Sequence, residues 1–266
     1  MKDTVAAYFG FSDPPFTKEL PVAALQQLPS VEQALASLNM LVSTKGIGVL
    51  TGKSGTGKTS LLRLLNDQLN PGLYKGFYLC HTSVGVLEFY THLCDAFGLE
   101  SSGKRAIMFR RLKERILHLS RTGKRHPVLM IDEASLLNND ILREIRLLTN
   151  FDMDSYNAMT LILCGQESFL QKFGLSILEP LANSITISVT LSGLKKEETF
   201  SYIEQRLQAT GANTGLFTKN ALTLIHDASA GILRTINSIA NGALLNAWYA
   251  RSPQVETEHV QIVIKR

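Results

Sequence analysis

Apolar positions in the first two thirds of the chain follow two alternating patterns. One is the short strand-like run at 46–51, 77–80, 160–164 and 185–189, which at 128–131 is apolar throughout. Apolar runs without polar alternation predict strands buried on both faces, as in a parallel sheet. The other pattern has helical spacing. Val31, Leu35, Leu38 and Leu41 follow Ser30, which reads as an N-cap, and helices are expected over 60–69, 86–97, 105–120 and 140–149. Pro71-Gly72 ends the helix over 60–69, and a loop is expected over 98–103. Strands alternating with helices predict an α/β fold: a parallel sheet covered by helices on both faces.

After Leu191 the strands stop. Helical spacing alone marks 195–207, 218–229 and 233–250, which predicts a small all-helical domain over 191–266 behind an α/β domain over 1–190. Within the latter, 1–29 holds Tyr8, Phe9, Phe11 and Phe16 among Pro14, Pro15, Pro21 and Pro29. The prolines forbid a long helix, so this segment is expected to wrap over a core and bury its aromatics. A length of 266 residues suits one large domain and one small one.

A hydrophobic content of 45% with 19% charged residues excludes a disordered chain. Met1 to Val5 lacks the apolar core of a signal peptide, and no uninterrupted apolar run reaches the roughly 18 residues of a membrane span. Cys80, Cys94 and Cys164 form no C-x-x-C pair, and their odd number points to free thiols in a reducing compartment. A cytoplasmic location away from membranes is therefore expected. None of the six histidines pairs at zinc-ligand spacing.

One glycine-rich segment carries chemistry. Gly52-Lys53-Ser54-Gly55-Thr56-Gly57-Lys58-Thr59, followed by Ser60, matches G-x-x-x-x-G-K-[ST] between an expected strand and an expected helix. Its glycines let successive backbone N–H groups converge on one anion, and the helix adds its positive end. Lys58 is positioned to reach the β- and γ-phosphates of ATP, and the Thr59 hydroxyl to ligate Mg²⁺. About 75 residues later, Asp132-Glu133 ends the apolar strand 128–131. In an open α/β sheet the carboxyl ends of the strands face the ligand crevice. Asp132 is expected to hold the Mg²⁺ shell and Glu133 to orient the attacking water. Acidic residues at that place also commonly start a helix.

Together these segments resemble the AAA+ class of P-loop ATPases, and more closely its ExeA/GspA-like branch with the TniB, TnsC and IstB type transposition helpers. Tyr8-Phe9-Gly10-Phe11 with Pro14-Pro15-Phe16, Val49-Leu50-Thr51-Gly52, Ile145 to Phe151, Leu163-Cys164-Gly165-Gln166 and Gly231 to Asn237 carry the closer likeness. The resemblance implies that Gln166 is the polar sensor at a strand end and Arg234 the lid arginine, both contacting the γ-phosphate. A strand-end amide and a surface helix arginine are the plainer readings of these two. The resemblance also implies a homo-oligomer, ring or helical filament, with ATP at its subunit interfaces. Relatives place an arginine just before the last strand, where it enters the neighbouring subunit's site. Here Ser184 stands at that position, leaving Arg143 or Arg146 as substitutes. Loss of such a finger costs about 10³ or more in rate, so weak intrinsic hydrolysis is expected.

The net charge is +4, but 104–125 concentrates Lys104, Arg105, Arg110, Arg111, Lys113, Arg115, Arg121, Lys124 and Arg125 against Glu114 alone. Such a stretch is either a solvated helix face or a surface for double-stranded DNA, binding phosphate without reading sequence. The resemblance favours DNA, with Lys104, Arg105, Arg121 and Lys124 as contacts and a transposase as partner. Its rivals are an ExeA-type secretion ATPase, which normally adds a membrane span and a wall-binding region, a replication-initiator-like loader, and a protein-only scaffold. A chain ending at Arg266 favours the transposition role among them.

Overall fold

A computed structural model of the chain describes residues 4–17 and 28–265. Two compact units divide it. One comprises 34–53 and 58–191, and the other the described residues of 1–33, 54–57 and 192–266.

The first unit is an α/β layer structure. Its sheet has five parallel strands, β1 (Ile47–Gly52), β2 (Tyr74–Leu79), β3 (His126–Ile131), β4 (Thr160–Gly165) and β5 (Ile185–Leu191), in the order β2-β3-β4-β1-β5. The expected parallel α/β sheet is present. β1, β3 and β4 are buried at every position, whereas edge strands β2 and β5 admit exposed residues, including Tyr78 and Thr186. A strand covered on both faces and flanked by neighbours has no place for polar side chains, which is why the central strands read as unbroken apolar runs.

The strand order sets the geometry of the site. β4 lies between β1 and β3, with Thr51 paired to Gly165 and Ile131 to Leu163. The carboxyl ends of these three strands therefore bring Gly52, Gln166 and Asp132 to one edge of the sheet. Beneath that edge, Phe77 stacks on Phe97 at 3.9 Å between centroids, within a core that includes Leu93, Leu112, Leu129 and Ile145.

Several element boundaries differ from expectation. β2 and β3 begin earlier than the apolar runs, at Tyr74 and His126. The helix expected over 105–120 is α-helical only over Arg105–Leu117 and widens into a π-turn, His118–Thr122. There Ser120 bonds the Tyr156 hydroxyl at 2.6 Å and the Arg121 guanidinium lies over the Tyr156 ring.

The second unit is helical: Lys196–Gln208, Lys219–Ser229, Leu233–Tyr249 and Thr257–Ile264. The last of these was not foreseen. It is eight residues long, too short for its periodicity to stand out, and buries His259 and Val260. In the opening segment Phe11 and Phe16 are buried, Arg206 Nε donates to the Pro15 carbonyl at 2.8 Å, and Phe16 meets Phe217 edge to face. Pro21 and residues 18–27 lie outside the described residues.

Ser30 is not the N-cap of its helix. Pro29 opens Pro29–Thr44, as suits a residue with no N–H to satisfy, and Glu198 Oε1 accepts the Ser30 N–H at 2.7 Å. The other oxygen of Glu198 accepts the Lys195 N–H at 2.9 Å, so one carboxylate caps two helix starts.

Candidate nucleotide-binding site

The glycine loop turns in a way that only glycine permits at two places. Gly55 and Gly57 have φ of 85° and 99°. A Cβ on Gly57 would come within 2.7 Å of Leu233 Cδ1, and one on Gly55 within 2.8 Å of Arg234 Cβ. The Arg234 N–H donates to the Gly55 carbonyl at 3.1 Å, and its guanidinium to Ser54 Oγ at 3.1 Å. The arginine singled out from the sequence thus touches the phosphate loop directly.

At the helix start that follows, Lys58 is 7% exposed, and Nζ donates to the carbonyls of Gly52 and Lys53 at 2.9 and 3.0 Å. Among the described residues no carboxylate pairs with it. A buried ammonium held by neutral oxygens alone is an uncompensated cation, suited to an anion. One residue on, Thr59 Oγ1 donates to Asp132 Oδ2 at 2.7 Å.

Asp132 is 3% exposed and collects further donors: the Tyr78 hydroxyl at 3.0 Å on the same Oδ2, and the Glu133 N–H at 2.9 Å on Oδ1. Burial, and then this carboxylate, pushes the Tyr78 phenol and the Cys164 thiol above their ordinary range, so both stay protonated beside it. No cation pairs with Asp132 among the described residues. A hydroxyl and a carboxylate in contact at the carboxyl edge of a sheet are hard oxygen donors of the kind Mg²⁺ takes. The residues present therefore fit a magnesium-bound triphosphate.

Glu133 is exposed, with φ 51° and ψ 33°. A non-glycine residue in the left-handed region costs about 1–2 kcal/mol, and such strain persists only where its surroundings impose it. Here the hydroxyl of Thr82, a residue 1% exposed, donates to the Glu133 carbonyl at 2.8 Å. Gln166, exposed, follows β4 between the ends of β1 and β3.

The AAA domain family matches residues 40–173, half of the chain, spanning the glycine loop, Asp132, Glu133 and Gln166. The chain belongs to the AAA domain family. This AAA domain is 33% identical over 251 residues to General secretion pathway protein A of Aeromonas hydrophila, covering 93% of the chain and 46% of that protein. The chain thus spans about half the length of that relative. Among solved structures, Cdc6p of Pyrobaculum aerophilum superposes with a TM-score of 0.72 at 20% identity, covering 95% of this chain and 70% of that one. The Aeropyrum pernix ORC1 protein in complex with DNA follows at 0.70 and 19%, covering 94% and 67%. The Thermotoga maritima RuvB branch migration motor gives 0.59 and 17%, covering 88% and 68%. At these identities the likeness is one of fold.

Sequence reasoning missed Tyr78, Thr82 and Cys164. Side alternation in β2 was the available signal: Phe77 and Leu79 are buried, leaving Tyr78 to face the other way.

The basic stretch of the AAA domain is rearranged by tertiary contacts. Arg105 pairs with Glu144 at 2.7 Å, Arg111 with Glu100 at 3.1 Å, and Arg121 with Asp152. Lys113 donates to the Asn150 carbonyl, and its ammonium lies over the Phe151 ring. Three of the nine basic residues of 104–125 are therefore paired with acids outside that segment. Lys104 and Lys124 are exposed and have no ion pair among the described residues. Arg105 and Arg121 are separated by 16 residues of near-continuous helix, roughly 24 Å at 1.5 Å per residue. The four candidate DNA contacts thus form two groups, not one patch. No described helix is long and apolar enough to cross a membrane.

Proposed function

We propose that this AAA domain is a magnesium-dependent ATP hydrolase whose nucleotide state controls its assembly. The observation that carries this reading is the arrangement of Lys58, Thr59 and Asp132: a buried, acid-free ammonium next in sequence to a hydroxyl–carboxylate contact of 2.7 Å. Backbone N–H groups of Gly52 to Ser60 cradle the phosphates, and Lys58 exchanges its two carbonyl partners for phosphate oxygens. Thr59 and Asp132 hold Mg²⁺, which when bound neutralises charge on the β- and γ-phosphates. Glu133 orients the attacking water, while Gln166 and Arg234 contact the γ-phosphate. Calorimetry is the test. Lys58→Ala is expected to lose magnesium-dependent ATP uptake, whereas Glu133→Gln keeps it and loses about 10²-fold or more in turnover. Uptake by Lys58→Ala equal to that of the unaltered protein would overturn the reading.

Within it, the protein forms a homo-oligomer, ring or helical filament, on double-stranded DNA when ATP is bound. It serves transposition by selecting target DNA and recruiting or activating a transposase. The resemblance to transposition helpers and the unpaired Lys104 and Lys124 support this, as does a shared fold with a protein solved on DNA. Ser184 bonds the Pro180 carbonyl at 2.7 Å and has no cation to offer a neighbour. Arg146 is paired with Asp154 at 2.6 Å. Arg143, 57% exposed with only a 3.7 Å contact to Asp140, is the better source of a trans arginine.

Identity to General secretion pathway protein A favours a second reading, an ATPase of secretion or envelope assembly. DNA binding that needs ATP and weakens with salt separates the two. Its absence would leave the secretion reading standing.

A further inference from the structure

We infer that Tyr78 is a positioning residue for the metal site, acting through Asp132. This rests on the reading of Thr59 and Asp132 as the magnesium-holding pair. β2 is an edge strand, and its pairing with β3 sets Tyr78 opposite Met130 and Leu79 opposite Ile131. The Asp132 N–H continues the ladder by donating to the Leu79 carbonyl at 2.8 Å. Backbone pairing thus places the root of the Asp132 side chain, but a carboxylate can still turn about its side-chain torsions.

Three donors remove that freedom. Glu133 N–H holds Oδ1 at 2.9 Å, while Thr59 and Tyr78 both donate to Oδ2, at 2.7 and 3.0 Å. The Thr59 hydroxyl has a second duty if it also faces a metal. A hydroxyl has one proton and two lone pairs, so ligation constrains which way the proton points. Tyr78 has no such second duty, and its donation to Oδ2 keeps the carboxylate plane in place whichever way Thr59 turns. Residues that hydrogen-bond a metal-shell carboxylate orient it and tune its basicity. The Tyr78 residue is 46% exposed, so its ring contributes little to the core, and the hydroxyl is what ties it to the site.

The experiment uses Tyr78→Phe, which keeps the ring and removes the hydroxyl. A fluorescent ATP analogue is titrated with Mg²⁺ for both proteins, and its binding is also measured in EDTA. Mn²⁺ binding followed by electron paramagnetic resonance counts the ion directly. The half-saturating Mg²⁺ concentration is expected to rise about tenfold in Tyr78→Phe. Metal-free nucleotide binding and the melting temperature should be unchanged. An unaltered Mg²⁺ requirement would remove Tyr78 from the metal site. So would a parallel loss of metal-free binding and melting temperature, which marks a structural role. Tyr78→Leu, lacking ring and hydroxyl, should show the same Mg²⁺ shift. If the unaltered protein shows no Mg²⁺-dependent binding at all, the nucleotide reading fails instead of the assignment of Tyr78.

Discussion

Two buried polar side chains of β3 and its edge differ in how they are satisfied. Asp132, at the carboxyl end, has three donors. His126, at the amino end, has Nε2 within 3.0 Å of Thr160 Oγ1, while Nδ1 is buried without a partner. Burial, with the Lys45 charge second, pushes the His126 imidazole from 6.5 down to about 4. The folded protein therefore keeps it neutral at pH values where the unfolded chain would take a proton. Stability is complete above pH 6.5 and falls as the pH drops toward 4, by up to about 3 kcal/mol. Urea unfolding at pH 7.5 and 4.5 should show this loss, and His126→Gln should lessen it. An equal loss in both proteins would place the acid sensitivity elsewhere.

Elements begin and end where their terminal N–H and C=O groups find partners, and Glu198 serves two helices at once. Burial alone would raise its carboxyl, but the N–H groups of Lys195 and Ser30 outweigh burial and hold it below the ordinary carboxylate value. Its stabilisation is therefore present above about pH 4.5 and is lost as pH falls through the lower folded value. Glu198→Ala is expected to cost about 2 kcal/mol, roughly one per cap. Glu198→Gln keeps an acceptor and should cost less. Thermal melts followed by circular dichroism at pH 7 check both, and a melt of Glu198→Ala matching the unaltered protein would refute the double cap. The cap shows why this helix start differs from expectation: a serine at the right place in a polar-to-apolar transition resembles an N-cap, yet the acceptor lies 168 residues away.

For the whole molecule the question is where charge is left uncompensated. Arg105 and Arg121 have acidic partners and Lys104 and Lys124 do not, so the lysines should dominate any phosphate contact. Lys104→Glu and Lys124→Glu are expected to weaken the proposed ATP-dependent DNA binding on every sequence alike. Each should reduce the slope of log affinity against log salt by about one. Fluorescence anisotropy over a salt series measures this. Unchanged binding in both variants would remove these lysines from the interface, and unchanged binding in only one would show which end of the helix faces DNA.

The five strands, the longer helices between them, the glycine loop and the acidic strand end were legible in the chain itself. A strand buried on both faces has no alternative to an apolar run, and a phosphate cradle is made from consecutive residues, so each leaves a contiguous trace. Folding alone decided the sheet order β2-β3-β4-β1-β5, which brings Gln166 between Gly52 and Asp132. It also decided the Tyr78 hydroxyl on Asp132 and the acids that meet the basic helix. These depend on which side chains meet across turns of chain 11 to 54 residues apart or more, and no local pattern of polar and apolar positions carries that information.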